Sequence, residues 1–186
     1  MARKFKILTG FACICLMLFW CVVPAAFSDK YISASKLKVT QKTRSTVQST
    51  STQAGSRGRW TEIRLEFDTK VKWVDELTVR YFALVEDVKG QDILYGDITY
   101  LNVPSGKAHI SSLFVHPATM AKYGKIISVH CEIWAQGKLR DVADIPSKPA
   151  KKWWEMKPPI KGQMVPKFYT PYSLDREYDG LAVKVE

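Results

Sequence analysis

The chain has 186 residues, 46% of them hydrophobic and 25% charged, with 28 Lys and Arg against 18 Asp and Glu and a net charge of +10. That supports one packed core and excludes a disordered chain. Three of the four cysteines stand before residue 28, so Cys131 alone remains beyond it. An intramolecular disulfide, and a zinc site built on cysteine pairs, are thereby excluded from the rest of the chain.

Residues 1–28 have the three parts of a secretory signal. Arg3, Lys4 and Lys6 precede the apolar run Ile7–Val23, and Ala26 and Ser28 fit the small-x-small cleavage rule, which puts the cut before Asp29. The competing reading is an uncleaved anchor, since Ile7–Phe27 is long enough to span a bilayer. A lipoprotein signal fails because Cys21 follows the bulky Trp20. A pilin leader fails too: Gly10-Phe11 resembles a cut site, but Cys15 stands where a pilin carries Glu. The expected location is outside the cytoplasm: periplasmic, associated with the outer membrane, or extracellular. After cleavage 158 residues remain, with 25 basic against 18 acidic groups and a net charge of +7.

Residues 29–59 read as a flexible basic arm and linker. Lys30 to Thr61 carries seven Lys and Arg and no acid, and Ser and Thr make up half of the stretch Thr40–Ser56. Tyr31–Val39 has the makings of one edge strand. Export argues against nucleic acid as the partner of this stretch, leaving anionic lipid, cell-wall polymer or an acidic protein beside a simply solvated tail.

From Trp60 the period becomes two, and residues 60–147 read as a β-sandwich domain. Ile63, Leu65 and Phe67 alternate with charged residues, and Leu77, Val79, Tyr81, Ala83 and Val85 alternate along a longer strand. Ile93–Val103 is a third strand with Gly96 as a bulge candidate, Pro104-Ser105-Gly106 a turn, and Ala108–Val115 a fourth strand. Pro117–Tyr123 is a two-turn helix closed by Gly124. Lys125–Ala135, with Ile127, Val129, Cys131 and Ile133 on one face, turns at Gln136-Gly137 into Leu139–Ile145. Six or seven short, mostly antiparallel strands predict a mainly β fold: an immunoglobulin-like antiparallel β-sandwich with one short helix and extended terminal arms. A barrel is the alternative. Residues 148–186 form a Trp-containing segment followed by an arm rich in proline and aromatics, expected to lack ladder hydrogen bonds.

Chemistry-bearing residues are few. His109, His116 and His130 match no metal spacing, with or without Asp97 or Glu132, so no metal or cofactor is expected. His130 and Cys131 are strand neighbours and point to opposite faces, which prevents one from activating the other. Cys131 is expected to be a buried, inert thiol. Ser33-Ala34-Ser35-Lys36 spells SxxK without its companion motifs, and no nucleophile elbow, zincin motif or phosphate loop occurs. No catalytic residue is expected.

Aromatics are the binding candidates. Trp153 and Trp154, with Phe168, Tyr169 and Tyr172 beyond them, would anchor a protein interface or stack on sugar rings. The bland reading makes one tryptophan a plug under the sandwich and half-covers the other. If the arm docks on a neighbouring subunit, deleting residues after Pro158 removes oligomers and leaves the domain folded.

Several stretches resemble a group of exported immunoglobulin-like proteins of verrucomicrobial-type bacteria, encoded beside type IV pilus assembly genes. The resemblance runs from Trp60 to Tyr172: the Trp60–Phe67 and Trp73–Val79 strands, Ser112–Pro117 leading into the helix, Ile127–Trp134 with its Gln136-Gly137 hairpin, Trp153-Trp154, and Val165–Pro171. It implies a non-enzymatic envelope or pilus-associated component and supplies no catalytic residue. The expected function is therefore binding or assembly in the cell envelope, with an envelope or pilus-associated protein, or a second copy, as partner. A carbohydrate-binding module recognising cell-wall or host glycan is the alternative. A membrane partner follows only if the leader is retained.

Overall fold

A strand as long as 28 residues would run about 90 Å if straight, against a diameter of about 40 Å for a domain of this size, so it has to bend. The computed structural model, which describes residues 30–42, 59–147, 151–173 and 181–184, shows such a strand. The leader assigned to residues 1–28 and most of the Ser/Thr-rich linker lie outside the described residues. The elements are β1 (Ile32–Lys42), β2 (Trp60–Asp87), β3 (Gly90–Val115), α1 (Pro117–Tyr123), β4 (Lys125–Ala135), β5 (Lys138–Ile145), β6 (Met164–Pro166) and β7 (Ala182–Val183), with 3-10 turns at Trp153–Glu155 and Lys167–Tyr169. Pairing among these strands is antiparallel throughout, in the order β5-β4-β2-β3-β6, with β1 on β2 and β7 on β3.

The expected first two domain strands are therefore one strand, β2, and the next two are one strand, β3. Pro104-Ser105-Gly106 is not a turn. It lies at the corner where β3 bends beside β2, and the register slips there between Phe67 and Thr69 and again between Thr69 and Trp73. The Thr69 hydroxyl donates to the Pro104 carbonyl at 2.6 Å and faces His109 Nε2 at 3.1 Å. Ala108 N–H donates to the Asp68 carboxylate at 2.8 Å, and Asn102 and Ala108 take left-handed backbone angles. Such bulges sharpen a bend that two long hydrogen-bonded strands would otherwise resist.

The bend folds one sheet into two facing layers, the expected sandwich. The first layer is β1, the N-terminal half of β2, the C-terminal half of β3, and β6. The second is β5, β4, the rest of β2 and the rest of β3. Ile63, Leu65 and Phe67 of the first layer share one buried core with Leu77, Val79, Tyr81, Ala83, Val85, Val129, Cys131 and Ile133 of the second. The Tyr81 and Tyr100 hydroxyls cross the core and both donate to Ser111 Oγ, at 2.6 and 2.9 Å. Gly96 is not a bulge: its register is continuous, and a Cβ there would lie 2.8 Å from Leu113 and Met164. Its missing side chain lets the layers close.

Strand pairing extends beyond residues 60–147 on both sides. β1 pairs with β2 over Ile32–Lys42, confirming the edge strand and lengthening it. The proline-rich arm was expected to lack ladder bonds, but Met164–Pro166 pairs with Leu113–Val115, because Pro166 is the last residue of an edge strand and needs no N–H there. α1 forms as expected, with Pro117 in its first turn and His116 Nδ1 accepting from Ala118 N–H at 3.0 Å. Ile127 leaves the core face at a register slip, and Ile126 takes its place opposite Val85. No helix among the described residues is long and apolar enough to cross a membrane.

Candidate functional site

Residues 151–173 and 181–184 decide which aromatics are left for a partner. They form a strap around the sandwich. Lys157 Nζ donates to the Gln91 carbonyl and pairs with Asp92 at 2.8 Å, at the start of β3. Ile160 then bonds both ways with the β3 edge, accepting from Tyr95 N–H and donating to the Ile93 carbonyl. β6 follows on the first layer, and β7 returns to the second at Tyr100 and Leu101.

Three of the five expected contact residues belong to this strap's own anchorage. Trp153 is buried, and Trp154 stacks on His130 at 3.6 Å between ring centroids and 5° between planes. Tyr172 is buried too: its ring stacks on Phe114 and its hydroxyl donates to the Lys42 carbonyl at 2.8 Å. Trp153 and Tyr172 thus lie inside the chain's own packing, and Trp154 is half-buried. Their apolar area is satisfied within the chain because the outer faces of the two layers carry rings, His130 and Phe114, on which Trp154 and Tyr172 stack.

Phe168 and Tyr169 are different. They are 41% and 63% exposed, pack against each other at 4.3 Å, and sit on the 3-10 turn that follows β6. Beside them opens a groove of about 180 Å³, lined by Asp97, Ile98, Thr99, Pro166, Phe168, Tyr169, Val183 and Lys184. The two exposed rings sit on a turn pinned by β6 on one side and by the Thr170 side chain on the other, whose hydroxyl donates to the Lys167 carbonyl at 2.6 Å.

The histidines hold structure. His109 braces the corner, His116 caps α1 and packs edge-on against Trp60, and His130 is buried between carboxylates. His130 Nδ1 lies 2.7 Å from Asp144 and its Nε2 3.5 Å from Glu132. The sequence reading missed Asp144. Hairpin pairing from Gln136-Gly137 points towards it, but a slip between Ile133 and Trp134 shifts the register by one residue. Among the described residues no group of three or more His, Cys, Asp or Glu is placed to hold a metal ion.

Cys131 is buried on the core face, opposite His130 as expected. Burial, and then the carboxylates of Asp144 and Glu132, push its thiol well above the ordinary range. Burial likewise pushes the Tyr81 phenol well up. Both groups stay neutral in the fold while their unfolded counterparts ionise, so their stabilisation is present below the unfolded values and lost as pH rises above them. The urea midpoint is expected to fall from about pH 9, each group costing about 1.4 kcal/mol per pH unit at most. Cys131→Ala should remove the limb that starts near pH 9 and leave one starting near pH 10. A midpoint flat to pH 11 would contradict the buried, neutral state of both groups.

A protein-family model matches residues 24–179 of the chain. No curated protein matches it. Among solved structures, the chain is similar to a crystal structure from Akkermansia muciniphila, at 18% identity and a TM-score of 0.68, over 83% of this chain and 93% of that one. At that identity the likeness concerns the fold.

Proposed function

We propose, from the premise that the chain belongs to the family whose model spans residues 24–179, that it is an exported, non-enzymatic binding or assembly protein of the cell envelope. The observation that carries this reading is the exposed Phe168–Tyr169 pair on a strap otherwise folded inward. Large aromatic rings held rigidly beside a groove suit a protein contact, because little side-chain freedom is lost on binding. The partner we favour is a component of the type IV pilus machinery, and the fold likeness to a verrucomicrobial protein fits the sequence resemblance behind that choice.

The test is affinity purification of the tagged protein from gently solubilised envelopes, with mass spectrometry of what is retained. Pilus-assembly proteins should be retained by the native chain and lost with F168S/Y169S. The double variant should melt with the native protein, since exposed positions change stability by about 0.5 kcal/mol or less. Retention unchanged by the double variant would remove this surface from the reading.

The same groove supports one other reading. Its aromatic wall faces Asp97, Thr99 and Lys184, the mixture of ring faces and polar groups that holds a sugar. Calorimetry with cell-wall fragments separates the two readings: Tyr169→Ala should abolish heat of binding if glycan is the ligand. Tryptophan quenching is a poor reporter, because no tryptophan lines the groove.

A further inference from the structure

The basic stretch at the start of the domain is matched only in part by carboxylates: Lys30 pairs with Asp141 at 2.8 Å and Lys42 with Glu62. Lys36, Lys38 and Lys42 fall on β1, where Lys38 stands directly opposite Arg64 and Lys36 opposite Glu66. Like charges directly opposite one another on a sheet destabilise it. The nearby carboxylates lie beneath the cations. Glu62 is 1% exposed and paired with Lys42 at 3.2 Å. Glu66 is 20% exposed and within 4.0 Å of both Arg64 and Lys38. Asp68 is turned onto the Ala108 N–H. Lys36 and Lys38 themselves are exposed. A body approaching this face therefore meets ammonium groups first, with their compensating charges sunk below.

The crowding is felt at Lys38. The Lys38 ammonium is held below its ordinary value, chiefly by the close Lys36 side chain and its charge, then by burial and by Arg64, against the opposing pull of Glu66. An anion set between the two would relieve this repulsion. β1 is also the first described strand, and the apolar run Ile7–Val23 ends shortly before Lys30. This strand is therefore the described element nearest in sequence to that run.

We propose that the Lys36–Lys38–Arg64 face of β1 is a docking surface for the anionic headgroups of a phospholipid membrane, independent of the Phe168–Tyr169 anchor. Each lysine near an anionic surface strengthens binding by about 1 kcal/mol, so two give roughly a 30-fold effect. The interaction weakens with salt, as screening requires.

The test uses the chain from Asp29 to Glu186, which holds every described residue and omits the apolar run. It is sedimented with mixed vesicles of phosphatidylglycerol and phosphatidylcholine, and with vesicles of phosphatidylcholine alone. Binding to the anionic vesicles only, reversed by molar salt and weakened roughly 30-fold in K36Q/K38Q, is the expected result. K151Q/K152Q makes the same change in net charge elsewhere and should bind as the native chain does. Circular dichroism confirms that both variants fold. Failure to bind anionic vesicles, binding that K36Q/K38Q leaves intact, or equal loss in K151Q/K152Q overturns the proposal. Retention on soluble polyphosphate without retention on vesicles also overturns it, in favour of an anionic polymer.

Discussion

Cutting the chain after Pro158 is expected to cost the domain its cooperative fold. The cut leaves Trp153 and Trp154 in place but removes Ile160, β6, Tyr172 and β7. Met164 and Tyr172 are nearly buried, and Phe114, fully buried, would lose the ring that stacks on it. Burying a side chain of this size stabilises by about 1.5–3 kcal/mol, so three such losses total roughly 5 kcal/mol or more. That rivals the whole stability of an ordinary domain. The cut also strips the outer edge of β3, from Ile93 to Val115, of Ile160, β7 and β6, leaving backbone groups without partners. Thermal melts should show a broad or absent transition, with dye binding that reports exposed apolar surface. A sharp transition within a few degrees of the intact chain would show that the strap is an accessory. Tyr172→Ala is the graded version, expected to lower stability by about 2–4 kcal/mol. The expectation that this deletion affects oligomers alone is replaced by this one.

Gly124→Ala should be nearly as damaging, although it adds one methyl group. Gly124 ends α1 with φ of +87° and ψ of −150°, and its N–H donates to the Met120 carbonyl. That backbone region is close to glycine-only and costs other residues about 1–3 kcal/mol. An added Cβ would also lie 1.9 Å from the Glu86 carbonyl oxygen, on a β2 backbone fixed by β3 and β4. Together the two effects are expected to cost roughly 3 kcal/mol or more, read as a fall in the urea midpoint. Gly137 is the control. It also has a positive φ, of +68°, but nothing lies within 4 Å of where its Cβ would be. Gly137→Asn, which tolerates that angle, should shift the midpoint by well under about 1 kcal/mol. Equal effects at the two sites would contradict the special cost assigned to Gly124.

What the sequence disclosed follows from how local each signal is. Alternation of Ile63, Leu65, Phe67 and of Leu77 to Val85 reports which side is buried, and the structure agrees. It does not report whether two such runs are one strand, because a bulge at Thr69 leaves the period intact on either side. Pro104-Ser105-Gly106 has turn chemistry, and that chemistry is used to bend β3 rather than to end it. The helix was legible because both of its caps lie within the segment: Pro117 at one end and Gly124 at the other. The aromatics of the arm were legible as residues in need of a surface. Which surface was not, because Phe114, His130 and the β3 edge stand on other elements, far along the chain from the groups that cover them. Of the five candidate contacts, Phe168 and Tyr169 are left outward, and nothing in their immediate sequence distinguishes them from Tyr172.

The strap's position in the chain sets an order in time. β1 to β5 can pair as soon as they have been delivered, since β2–β3 and β4–β5 are hairpins with short connections. The edge of β3 must then wait for Ile160, β6 and β7 before it is covered. A chain made N-terminus first therefore spends its last stage as a nearly complete sandwich with one open edge, and strand pairing between copies competes with closure at that stage. Slowing delivery of the segment beyond Pro159, rather than weakening the core, is the step at which this protein should be lost to aggregation.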